Sequence, residues 1–125
     1  MDIAVTVPRS FRHPRAPGKQ GLAAWIAEGD PAGAPWSGTF WTFFVGGAKP
    51  PVEPGDRIYV VCQGRLRGYA PLVCLERFGP QRWGLIRGGG AVAVTLPEAI
   101  EGFRGWRRRW WPREAEIPFS DWQLP

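Results

Sequence analysis

Between residues 103 and 113 the chain reads FRGWRRRWWPR. This stretch holds five arginines, three tryptophans and a phenylalanine, and no acidic residue. Arginine neutralises phosphate and planar aromatic rings stack on bases, so their interleaving suits a surface that faces nucleic acid. If the segment is extended, Arg107, Arg109 and Trp111 face one way and Trp106, Arg108 and Trp110 the other. Neither face is purely apolar. The competing reading is an amphipathic edge strand whose tryptophans pack and whose arginines reach water.

Other groups of residues invite the same question. Arg9, Arg12, His13, Arg15 and Lys19 cluster ahead of an expected helix, where Lys19 and the first helical N–H groups could hold an anion. A solvated loop would carry the same charges. Trp36, Phe40, Trp41, Phe43 and Phe44 form an aromatic run. On a strand, one alternating set belongs to the core, and the other either lines a base-sized cleft with Lys49 at its mouth or is covered as well. Gly88-Gly89-Gly90 lacks the spacing of a phosphate-binding loop and reads as a hairpin turn.

Catalytic machinery is sparse. No Ser-His-Asp or Cys-His set is evident, and the single histidine, His13, sits in a proline-bearing arginine loop. Cys62 and Cys74 have apolar neighbours and read as inert core thiols. They fall several strand pairs apart, too far for a disulfide. Two cysteines and one histidine make no plausible metal site, and no cofactor is expected.

Composition sets the frame for these residues. The 125 residues, 44% of them apolar, suit one domain spanning 1–125. Eight tryptophans are too many for the centre of so small a core, so some must lie at its margin or on a ligand surface. The net charge is +5, and fourteen of the sixteen cationic residues are arginine. Base-composition bias would favour arginine over lysine, but the sign of the charge favours an anionic partner. No run approaches the ~20 apolar residues of a membrane span, and MDIAVTVPRS does not read as a secretory signal. A cytoplasmic protein is the expectation.

Seventeen glycines and fourteen prolines favour short strands and turns over long helices. Residues 3–7 are predicted as a strand, 19–27 as the one convincing helix, and 39–45 as an aromatic strand. Residues 57–62 and 66–75 are predicted as a hairpin joined at Gln63, Gly64 and Arg65. In the preferred register Ile58, Val60 and Cys62 share a face with Leu66, Gly68, Ala70, Leu72 and Cys74. Tyr59, Val61, Arg67 and Tyr69 share the other. Short strands follow at 83–86 and 91–96, with a helical turn at 97–101, an extended 106–111 and an irregular tail from 114. The expected class is mainly β with one or two short helices (α+β), built as a closed or nearly closed barrel.

Residues 54–76, PGDRIYVVCQGRLRGYAPLVCLE, resemble the central hairpin of PUA-like domains, the superfamily that includes the ASCH and EVE families. The shared features are the Gly55-Asp56 turn, an apolar strand, a short turn, and a second strand with Gly68 where the chain reaches the interior. The early strand, the helix near residue 20 and the late GFRGWRRRWW stretch follow in the matching order. The chain departs from the ASCH motif GxKxxExR. After Gly47-Ala48-Lys49 it has Val52 and Pro54 at the motif's acidic and basic positions, with Glu53 and Arg57 out of phase.

The resemblance implies a PUA-like pseudobarrel with a cleft beside the helix, of the kind relatives use to bind RNA or modified bases. With the basic and aromatic residues read above, the expectation is a module that binds RNA or single-stranded nucleic acid, including a modified base, in a basic, aromatic-lined cleft. Its surface would draw on Lys19, Trp41, Lys49, Arg67, Tyr69, Arg87, Arg104, Trp106, Arg107, Arg108, Arg109 and Trp110. An alternative by analogy with ASCH proteins is a small hydrolase acting on a modified nucleoside or RNA, with Lys49 as its key residue and Thr42 and Glu53 beside it. A protein-interaction domain presenting exposed tryptophans is a third reading. The oligomeric state stays open.

Overall fold

The computed structural model describes residues 1–12, 17–31, 34–119 and 122. His13 and Arg15 of the first basic cluster lie outside them. The described chain is mainly β. In order it forms β1 (Ile3–Thr6), α1 (Leu22–Ala27), β2 (Trp41–Gly46), β3 (Arg57–Cys62), β4 (Arg65–Pro71), β5 (Cys74–Gly79), β6 (Arg82–Arg87), β7 (Val94–Thr95), β8 (Trp106–Arg108) and β9 (Ile117–Pro118). A 3-10 turn at Arg113–Ala115 precedes β9. Among the described residues no helix is long and apolar enough to cross a membrane.

The strands form three sheets, ordered β4-β3-β1-β8, β2-β6-β5 and β7-β9, and none closes on itself. The four-stranded sheet is covered on both faces. Ile3, Val5, Ile58, Val60, Cys62 and Ala70 meet Val45 and Leu85 of the three-stranded sheet and Trp25 of the helix in the main core. Ala4, Tyr59, Val61 and Leu66 point the other way, under Val94, Leu96, Ile100 and Trp111. Alternation along one strand feeds two cores, which explains the nearly unbroken apolar run of β3.

The β3–β4 hairpin departs from its expected form in one instructive way. Its loop has two residues, Gln63 (φ 53°) and Gly64 (φ 77°), because a turn with two positive φ values matches the strand twist. Arg65 therefore pairs with Cys62 rather than lying in the loop. The register then shifts between Val60 and Val61, with Val60 opposite Gly68 and Val61 opposite Leu66. Arg67 is the extra residue of this bulge, and its Nε donates to the Cys62 carbonyl at 2.9 Å. Beyond the bulge, Ile58 pairs with Ala70 in the expected register. Leu66, however, turns into the second core instead of sharing the face of Ile58.

Other boundaries are shorter than expected. The second hairpin strand stops at Pro71, and Cys74 begins β5 in the other sheet. Residues 97–101 form no helical turn, whereas the tail does hold β9, paired to β7. Cys62 and Cys74 are both free thiols. Cys62 is buried as expected and Cys74 is only half-buried.

The arginine–tryptophan run does not stay extended to residue 111. Only Trp106–Arg108 pair with β1. Asp2 ends the strand, because its buried carboxylate gathers the Arg57 N–H (2.9 Å), Arg109 Nε (3.2 Å) and Arg113 Nη2 (2.8 Å). Burial alone would raise the Asp2 carboxyl. The Arg57 N–H and the Arg113 and Arg109 guanidinium groups outweigh it and hold the group below its ordinary range. Asp2→Ala leaves these donors short of an acceptor. Denaturant titration at neutral pH is expected to show a loss of about 2 kcal/mol. A change under about 0.5 kcal/mol, the range of ordinary surface substitutions, would contradict this role.

Candidate nucleic-acid interface

The two larger sheets share a core but do not hydrogen-bond to each other along β2, and an open cleft of about 770 Å³ runs there. Its β2 wall runs from Phe40 to Gly46. Facing it are Thr6 at the end of β1, Pro8, Phe11 and Arg12 after it, and the turn Phe103-Arg104-Gly105 before β8. Among the described residues, Arg12 and Arg104 are its cations and no acidic residue lines it.

Local structure places these groups. Phe11 packs on Phe43 with ring centroids 5.4 Å apart. The Gly21 N–H donates to the Phe11 carbonyl at 2.8 Å, tying the loop after β1 to the start of α1. Phe103 is held by its N–H on Thr6 Oγ1 at 3.0 Å. The cleft closes at one end, where a β-carbon on Gly105 would stand 3.2 Å from the Gly46 carbonyl oxygen. There Trp106 Nε1 donates to the Ala48 carbonyl at 2.7 Å and Trp83 Nε1 to that of Gly47 at 3.1 Å. Both indoles pin the β2–β3 connection.

Of the residues expected on a nucleic-acid face, the structure brings Trp41 and Arg104 to this cleft. The Trp41 side chain is largely buried, so it supplies a wall and not a free stacking face. Arg87 is not at the surface. It is 6% exposed, with its Cζ 4.1 Å over the Trp25 ring and Nη2 bonded to the Trp25 carbonyl. Burial lowers this guanidinium to about 10, with Glu28 opposing the shift. It cannot meet a phosphate without leaving the core.

The remaining expected residues scatter. Lys49 and Glu53 line a separate groove with Arg77 and Trp83, away from Thr42, so the structure does not assemble the Lys49–Glu53–Thr42 grouping. Nor does Lys49 sit at the mouth of the aromatic cleft. Arg67 serves the β-bulge. Tyr69 lies against Tyr59 and under the Arg57 guanidinium, 4.2 Å from its ring centroid. Trp106 is a half-buried structural donor. Arg107 sits 4.4 Å over Phe103 beside a groove that also holds Glu98 and Glu101. Arg108 is exposed, and Arg109 belongs to Asp2. Trp110 is exposed and rests edge-on against Trp111. Lys19 is exposed and does not line the cleft.

Arg12, Phe11 and Phe103 were undervalued in the sequence, although a signal was there. Phe-Arg occurs at 11–12 and again at 103–104, and the fold brings both pairs to the same cleft. Among the described residues no group of three or more His, Cys, Asp and Glu side chains is placed to hold a metal. No protein-family model matches this chain, and neither does any curated protein or solved structure.

Proposed function

We propose that this chain binds single-stranded nucleic acid, RNA or a strand with a modified base, by taking one base into the cleft beside β2. The observation that carries this reading is a lining that, among the described residues, holds phenylalanines and two arginines and no carboxylate. Aromatic walls accept a planar base, and Arg12 and Arg104, both exposed, can meet flanking phosphates. The same architecture, two sheets around one core and split along β2, is our basis for reading the fold as a PUA-like pseudobarrel. The net charge of +5 favours approach of a polyanion. We place the protein in the cytoplasm on this reading.

Arg12→Gln and Arg104→Gln together test it. With a labelled single-stranded RNA, fluorescence anisotropy across a salt series is expected to show affinity falling about tenfold per arginine at low salt. The slope of log affinity against log salt should flatten by about 1.4, since each phosphate contact on a single strand contributes roughly 0.7. Arg107→Gln, beside the mixed-charge groove, is the control and should change little. Equal losses from both sets would reject the cleft as the site.

One observation favours a protein partner instead. Phe44 and Phe78 meet edge-on, centroids 5.0 Å apart, and both are more than 40% exposed, with the Arg82 guanidinium 4.1 Å over the Phe44 ring. Exposed aromatic pairs of this kind occur on interaction surfaces. Phe78→Ser would weaken such a partner and leave oligonucleotide binding unchanged.

A further inference from the structure

One wall of the cleft is main chain as well as side chain. β2 is the edge of its sheet and bonds to β6 alone. The phase of the ladder shows which of its groups reach β6. The Gly47 N–H donates to the Gln81 carbonyl at 3.0 Å, so Trp41, Phe43 and Val45, in the same phase, face Arg87, Leu85 and Trp83 with their polar groups. On β6 the Ile86 carbonyl faces the other way and accepts from Val73 N at 2.7 Å, so Ile86 and its neighbour Thr42 do not exchange bonds. Thr42 and Phe44 therefore direct N–H and C=O away from β6 and into the cleft they line. Among the described residues neither main chain has a hydrogen-bond partner there.

We infer that the Thr42 main chain reads the Watson–Crick edge of the bound base, so the site accepts only an unpaired base whose edge is unmodified. This rests on the nucleic-acid reading of the cleft. An extended residue presents its N–H and C=O side by side on the same edge, a donor next to an acceptor. Every standard base offers the complement on its pairing edge, either a ring N–H beside a carbonyl or an amino group beside a ring nitrogen. A base in a duplex has already spent those groups. An added peptide strand would use the same main-chain groups. The free stretch, however, spans only Thr42 to Phe44 before Gly105 closes on Gly46. That is short beside the usual strand of about five residues and sufficient for one base. Thr42 is the reading residue because it lies further from the closed end than Phe44.

Two methylated oligonucleotides separate this inference from the reading beneath it. N3-methyluridine blocks the pairing edge, and C5-methyluridine adds the same methyl group away from it. Oligouridine carrying N3-methyluridine is expected to bind about tenfold more weakly than oligouridine, and C5-methyluridine within about twofold. Thr42→Pro removes the N–H that would donate to the uracil O4, at an outward-facing edge position where proline is tolerated. It should weaken binding of unmodified oligouridine and leave the N3-methyl penalty, which falls on the retained Thr42 carbonyl, in place, while Thr42→Val, which keeps the N–H, should bind oligouridine as the parent does. Equal binding of N3-methyl and unmodified strands, with the arginine-dependent salt slope intact, overturns the inference alone. Absence of salt-dependent binding to any oligonucleotide overturns the cleft reading too, as would capture of an alternating Glu-Val peptide in its place. The methylated strands decide the matter with the unmutated protein even if Thr42→Pro fails to fold.

Discussion

Gly68→Ala is expected to cost about 3 kcal/mol or more in denaturant titration. A β-carbon at this position would stand 2.7 Å from the Trp122 ring and would press on the Val92 carbonyl. The Val92 contact is the decisive one. Tyr69 N donates to Val92 O at 2.9 Å and Val92 N to Tyr69 O at 2.8 Å, so the obstructing carbonyl is fixed by a backbone bridge. A ring can rotate aside, whereas moving this carbonyl breaks the bridge that begins the cover over the second core. Overpacking of this kind usually costs 1–3 kcal/mol, and about 3 or more is the expectation where the neighbour is backbone. Trp122→Ala in the same chain should recover only the part due to the ring. Full recovery, or a Gly68→Ala loss under about 1 kcal/mol, would show that the bridge yields.

Glu28→Gln is expected to stabilise the protein above neutral pH by as much as about 3 kcal/mol and to flatten its pH dependence. Glu28 is 1% exposed, and neither carboxylate oxygen has a hydrogen-bond partner among the described residues. Burial pushes this carboxyl from 4.5 up to about 7, against the opposing pull of the Arg87 guanidinium. Between those values the folded protein keeps a proton that the unfolded chain has released. Stability is therefore greatest below about 4.5 and is lost as pH rises through about 7. Glutamine carries no charge to desolvate, so the two proteins should agree near pH 4.5 and diverge above it. Asp2 acts with the opposite sign and in a different window. Its carboxyl is held below 3.8, so its contribution is lost only as the solution is acidified past that value. Denaturant titrations of both proteins over a pH series give the comparison. Parallel curves would show that the folded protein already solvates the Glu28 charge.

Much of the fold was legible because it depends on near neighbours. The apolar run IYVVC and the alternation in LRGYA marked β3 and β4, and the spacing of Leu22, Trp25 and Ile26 marked α1. The Gln63-Gly64 turn was visible as a hairpin, but its length was not. One residue of difference in the loop is compensated by one residue of bulge at Arg67. Only the packing of Leu66 into the second core distinguishes the two solutions.

The candidate site was less legible. The FRGWRRRWWPR run looks uniform as a string, yet its members serve several separate places in the fold. Arg104 goes to the cleft and Arg107 to a neighbouring groove, Arg109 and Arg113 go to Asp2, and Trp111 goes under Tyr59. The repeated residue types do not separate these fates, because several depend on distant partners: Asp2 lies over a hundred residues earlier, Tyr59 is on β3, and the cleft wall facing Arg104 belongs to the other sheet. Arg87 illustrates the same limit. The strand expected at 83–86 stopped one residue short of it, and although the helix was readable, its packing with Trp25 and the following Glu28 against Arg87 was not.

By itself, the sequence determined the class of the molecule: β-rich, glycine- and proline-punctuated, basic, and dense in arginine and aromatic side chains. Those properties follow from steric preferences, periodicity and charge, all of which act within a few residues. Only the tertiary structure decided which aromatic rings remain outside the core, and which arginines reach water rather than a buried carboxylate. It also decided that two distant Phe-Arg pairs share a cleft with the free edge of β2. Those outcomes depend on strand register and sheet order, which long-range packing selects from many arrangements that local preferences leave nearly equal.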